Sequence, residues 1–161
     1  MKPTVILVGA DKGGVGKTTV SRALLDYLAA NNILARAFDT EFPRGTLMRF
    51  HPNQTEVVDI TSTPDQMKIL DTLETSGPKV SVIDVRAGQL ATTLQALQDV
   101  GFLDAVKVAA DVEARVLLGG DQERGLGEIE LRWIARHDLL EASAGRGFRH
   151  EQQGLRVSRL Y

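Results

Sequence analysis

The hydrophobic positions of the chain follow two rhythms. Val5-Ile6-Leu7-Val8 is a continuous apolar run that stops at Gly9, the pattern of a strand buried on both faces. From Thr18 to about Asn31 the apolar residues recur at helical spacing, at Val20, Ala23, Leu24, Tyr27 and Leu28, and Asn31-Asn32 suits the stop. Ala35 to Phe38 reads as a second strand, ending at Asp39, and Val57 to Ile60 reads as a third. Thr63-Pro64-Asp65 supplies a capping hydroxyl, a proline for the first helical position and an early acid. The helix it starts is expected to run to about Thr75, before Gly77-Pro78. Val80-Ser81-Val82-Ile83 reads as the next strand, ending at Asp84, and Leu90 to about Val100 as a helix closed by Gly101. Short strands alternating with such helices predict parallel β-α-β units, hence an α/β fold with a mostly parallel sheet flanked by helices.

The last third is patterned less clearly. Ala105 to Ala110 reads as a further strand, and Glu128 to Glu141, with Ile129, Leu131, Trp133, Ile134 and Leu140, as a helix. Gly145 to Tyr161 has little apolar content and carries Arg146, Arg149, Arg156 and Arg159. The expected organisation is therefore one domain over 1–144 and a basic, poorly ordered tail over 145–161. A length of 161 residues, 43% of them hydrophobic, suffices for one core without staples. The absence of cysteine excludes a disulfide framework, a thiolate metal site and a cysteine nucleophile, and fits a reducing compartment. A net charge of −2 gives no global basic field for nucleic acid. The apolar runs are too short for a membrane span, and the one near the N-terminus is too short for a signal peptide. A cytoplasmic location without membrane association is the expectation.

The densest chemical signal lies between the first strand and the first helix: Lys12-Gly13-Gly14-Val15-Gly16-Lys17-Thr18-Thr19. Glycines let a backbone approach a phosphate chain and take positive φ, so that N–H groups point inward. The helix N-terminus adds unpaired N–H groups and its dipole. In such a loop Lys17 supplies a charge for the β- and γ-phosphates, and the Thr18 hydroxyl is placed to ligate Mg²⁺. The usual first glycine of the spacing is replaced by Asp11, and a second lysine, Lys12, lies five residues before Lys17. Asp84, at the carboxyl end of an apolar strand, stands where ligands bind in open α/β sheets and can hold Mg²⁺ through water.

Lys12-Gly-Gly-Val-Gly-Lys-Thr-Thr19 resembles the deviant Walker A motif of the ParA/MinD ATPases, which partition plasmids and chromosomes and position division sites. The resemblance covers roughly residues 1–100 and implies a P-loop NTPase-like fold that binds ATP and Mg²⁺. It also implies a nucleotide-sandwich homodimer formed with ATP, in which Lys12 reaches the phosphates of the other subunit, a cation supplied in trans. Val80 to Asp84 resembles the Walker B strand. Asp39 matches the first of two family aspartates near the metal. The second is replaced by Glu41, which by the resemblance helps position the attacking water; Pro43 falls one residue later than usual. Val85-Arg86-Ala87-Gly88 stands where the family has a threonine and prolines; Arg86 reads as a surface arginine, with contact to a phosphate or a partner as the alternative.

The implied site is thus Gly13, Gly14, Val15, Gly16, Lys17, Thr18 and Thr19 for the nucleotide. Thr18, Asp39 and Asp84 serve the metal, and Lys12, Lys17 and Glu41 serve hydrolysis. Implied partners are a second copy, a protein that stimulates hydrolysis, and DNA through the dimer or the basic tail. Two other functions fit the same motif. One is a nucleotide-binding interaction module that does not hydrolyse. The other is an ATP-dependent biosynthetic enzyme of the same superfamily, for which no set of polar substrate residues stands out.

Overall fold

The computed structural model describes residues 4–10, 12–73, 77–102, 104–105 and 113–118. Its elements in chain order are β1 (Thr4–Gly9), α1 (Lys17–Ala30), β2 (Ala35–Asp39), β3 (Thr55–Val57), α2 (Thr63–Leu70) with a 3-10 turn over Asp71–Leu73, β4 (Val80–Asp84), α3 (Leu90–Asp99) and β5 (Glu113–Leu118). The five strands form one sheet in the order β3-β2-β4-β1-β5, and every pairing in it is parallel. The chain leaves β1 for β2 in one direction and leaves β4 for β5 in the other, so the crossovers cover opposite faces.

The two faces bury separate halves of each strand. Val5, Leu7, Phe38, Ile83 and Val85 pack with Ile69 of α2 and with Leu94 and Leu97 of α3. Ile6, Val8, Ala37, Val80 and Val82 pack with Leu25 and Leu28 of α1. This is why β1 reads as an unbroken apolar run, and β4 as one interrupted only by the buried Ser81, rather than as alternating ones. The register sets Asp84 level with both Val8 and Asp39, so three strands end side by side at their carboxyl edge.

Several expectations shift in detail. Strand β3 covers Thr55–Val57 rather than 57–60. The Val58 N–H still donates to the Asp39 carbonyl, and Val58 and Ile60 are fully buried, but the Asp59 N–H turns to the Asp65 carboxylate. The apolar pattern there reports burial, not strand. Helix α2 is entered from Ser62, with Thr63 already helical, no side-chain cap bond, and Pro64 in the first turn. On α1 the buried stripe is Ser21, Leu25 and Leu28, whereas Tyr27 is 62% exposed. Of the strand expected over 105–110, Ala105 is helical and 106–110 lie outside the described residues; a strand stands at Glu113–Leu118 instead. The helix expected over 128–141 and the tail over 145–161 also lie outside them. Among the described residues no helix is long and apolar enough to cross a membrane.

Candidate functional site

Between β1 and α1 the backbone turns through left-handed glycines, with φ of 75° at Gly14 and 91° at Gly16. Both positions are open to solvent space where a Cβ would stand, so it is the dihedral that calls for glycine there. Gly16 is the residue before α1, and its carbonyl accepts the Val20 N–H at 2.9 Å. Among the described residues, no N–H group from Gly13 to Thr19 donates to a carbonyl outside that helix. These donors at a helix N-terminus, curled by two left-handed residues, make an anion-binding concavity. The Lys17 ammonium lies back across the loop and donates to the Lys12 carbonyl at 2.9 Å.

The opposite wall is built by the strand ends. Asp84 is almost wholly buried, yet both its carboxylate oxygens are held: Thr18 Oγ1 donates to Oδ2 at 2.8 Å and Ser21 Oγ to Oδ1 at 2.9 Å. Burial pushes its carboxyl up to about 6, and the nearby Asp39 charge pushes the same way. The Thr18 and Ser21 hydroxyls and the Lys17 ammonium pull it back down. Asp39, 1% exposed, works differently. Its Oδ1 accepts the Glu41 N–H at 2.9 Å; its Oδ2 accepts the N–H groups of Leu47 at 2.6 Å and Met48 at 3.4 Å. It thereby folds the segment after β2 into a fixed loop. Leu47 is driven fully into the core beneath α1. Gly45, at φ 65°, lies where a Cβ would strike Val57. Within this loop the Thr46 hydroxyl donates to Glu41 Oε2.

A cavity of about 450 Å³ opens between these walls. It is lined by Gly13, Gly14, Gly16, Lys17, Thr18, Thr19, Asp39, Glu41, Asp84, Val85, Arg86 and Ala87. Most residues expected at the site therefore meet in one place, from the glycine loop, α1 and the ends of β2 and β4. Val15 is half-buried and does not line the cavity, and Lys12 is exposed beside it with only its carbonyl engaged. Asp11 lies outside the described residues.

Arg86 is exposed, as a surface arginine should be, and also lines the cavity, which keeps a phosphate contact open to it. One participant lies outside the sequence reading. Ser21 is fully buried and holds Asp84. Its signal was present: Ser21, Leu25 and Leu28 fall at i, i+4 and i+7, so a hydroxyl occupies a core position and needs a partner.

The donor set fits magnesium with phosphates better than a protein-only metal cage. No group of three or more His, Cys, Asp or Glu side chains among the described residues is placed to hold a metal ion by itself. A hydroxyl beside one carboxylate is the kind of set that holds Mg²⁺ when water and phosphate oxygens complete its shell. Comparison of the chain with protein-family models, with curated proteins and with solved structures returned no match.

Proposed function

We propose that the chain is a P-loop NTPase-like, Mg²⁺-dependent ATPase of the ParA kind, whose output is a nucleotide-switched association of two copies in DNA partitioning or cellular positioning. One observation carries the reading: the left-handed glycine loop, Lys17 and the Thr18–Asp84 pair face the same cavity. Each answers a different part of one ligand. The N–H groups of residues 13–19 cradle phosphate oxygens. Lys17 exchanges the Lys12 carbonyl for a phosphate, and its charge is then better satisfied. Thr18 and Asp84 hold Mg²⁺, which when bound neutralises charge on the transferred phosphoryl group. Ser21 keeps the carboxylate aimed after Thr18 turns to the metal.

Asp39 serves chiefly by organising its loop, because three backbone N–H groups already occupy its oxygens. That loop carries Glu41 to the cavity wall. Thr46 fixes one of its oxygens, and the other, without a partner among the described residues, is the one to orient a water. Positioning a nucleophile is a geometric contribution, and small displacements cost on the order of 100-fold.

Phosphate release tests the reading. The wild type is expected to release phosphate from ATP only with Mg²⁺. Glu41→Ala should bind ATP normally and lose most turnover. Wild-type protein that binds ATP without releasing phosphate would leave a nucleotide-binding interaction module. A Glu41→Ala variant with parental turnover would move the water-positioning role elsewhere.

A further inference from the structure

The cavity holds three carboxylates and two cations, and their states differ. All three acids accept hydrogen bonds from within the chain: Asp39 from backbone N–H groups, Glu41 through one oxygen from Thr46, and Asp84 from Thr18 and Ser21. Neither cation has an acidic partner. Lys17 donates to a carbonyl, and among the described residues the Arg86 guanidinium makes no hydrogen bond or ion pair. Lys17 and Arg86 are therefore the groups of this wall whose charge is left to meet an anionic ligand.

The Arg86 backbone is fixed while its side chain is free to reach. Its N–H donates to Thr40 Oγ1 at 2.8 Å, and Thr40 is tied in turn to the Asp84 carbonyl. Ala87 closes on the start of the glycine loop, where a Cβ on Gly13 would stand 3.7 Å from that of Ala87. Arg86 therefore lines the cavity from the turn whose next residue closes on Gly13, two residues beyond Asp84. If the inner phosphates of a nucleotide lie on the helix N-terminus, with its metal at Thr18 and Asp84, the Arg86 side of the same cavity is open to the terminal one.

We propose that Arg86 is a substrate-binding residue that grips the terminal phosphate of a nucleoside triphosphate within the same chain. This rests on the nucleotide-binding reading above. The planar guanidinium can donate two parallel bonds to phosphate oxygens, so it senses the presence of the third phosphate. A single copy thus distinguishes triphosphate from diphosphate before any second copy arrives.

The test is calorimetry with Mg²⁺ and either a non-hydrolysable ATP analogue or ADP, on wild type and Arg86→Ala. The side chain is exposed and makes no hydrogen bond or ion pair among the described residues, so the variant should keep its fold. The expected result is at least about tenfold weaker binding of the analogue, with ADP affinity kept within about twofold. Equal affinity of variant and wild type for the analogue would overturn the assignment. An equal loss for analogue and ADP would also overturn it, by moving Arg86 to the inner phosphates. If the wild type binds neither nucleotide, the site itself falls, and Arg86 with it.

Discussion

Asp84 is asked for opposite things by its surroundings. Ionised, it suits a metal; buried, it resists ionising, and its carboxyl is pushed up to about 6 from an ordinary 3.8. The folded chain therefore keeps a proton that the unfolded chain has already lost. Its contribution to the stability of the ligand-free protein is fully present below 3.8 and is lost as pH rises through about 6. Metal binding runs the other way, because it needs the ionised form. The part of ATP affinity that depends on Mg²⁺ is expected to shrink as pH falls from about 7.5 to about 5.5, whereas affinity without Mg²⁺ keeps most of its value. Ser21→Ala removes a donor that favours the charged carboxylate, so the midpoint should move to higher pH. Titration calorimetry across that range reads both effects. An unchanged midpoint in Ser21→Ala would reduce Ser21 to packing.

Among the elements, the segment from 40 to 54 between β2 and β3 is a largely exposed loop that is anchored in the core through Leu47. At this length a connection without regular structure is uncommon in a compact domain unless it carries function. Here Asp39 pins it from one side and Leu47 from the other. Leu47→Ala opens a hole beneath α1 and should cost about 2–5 kcal/mol, read as a lower urea midpoint. Turnover should fall as well, since Glu41 rides on the same loop. A variant as stable as the wild type would mean that Leu47 can be replaced by local collapse.

This segment also marks where legibility ended. Strands β1, β2 and β4 and helices α1 and α3 could be read because burial on both sheet faces writes continuous apolar runs and clean helical spacing. The glycine loop was legible because left-handed backbone demands glycine. The loop's order was not, because it comes from one aspartate receiving backbone N–H groups of residues up to nine positions away. Strand β3 was misplaced because Val58 and Ile60 are buried without belonging to a strand. Arg86 is the exposed residue its context predicts, but its place on the cavity wall depends on how the turn after β4 closes against Gly13, a contact between distant parts of the chain.

For the whole molecule, the sheet order leaves the carboxyl ends of β1, β2 and β4 adjacent, and the cavity opens there. Lys12 stands exposed beside it, and among the described residues only its carbonyl is engaged. If two copies meet across their nucleotides, ATP with Mg²⁺ should shift the wild type from monomer to dimer in sedimentation, and ADP should not. Lys12→Ala should lose the shift while keeping most affinity for nucleotide. A Lys12→Ala protein that still dimerises would confine Lys12 to the surface. Everything at this scale depends on nucleotide entering the glycine-loop cavity in the first place. The decisive measurement is calorimetric titration of ATP and ADP, with Mg²⁺, into wild type and Lys17→Ala, both shown by circular dichroism to be folded. The account predicts binding of both nucleotides by the wild type and loss of most affinity for both in the variant. Unchanged affinity in folded Lys17→Ala, or no binding by the wild type, would contradict it.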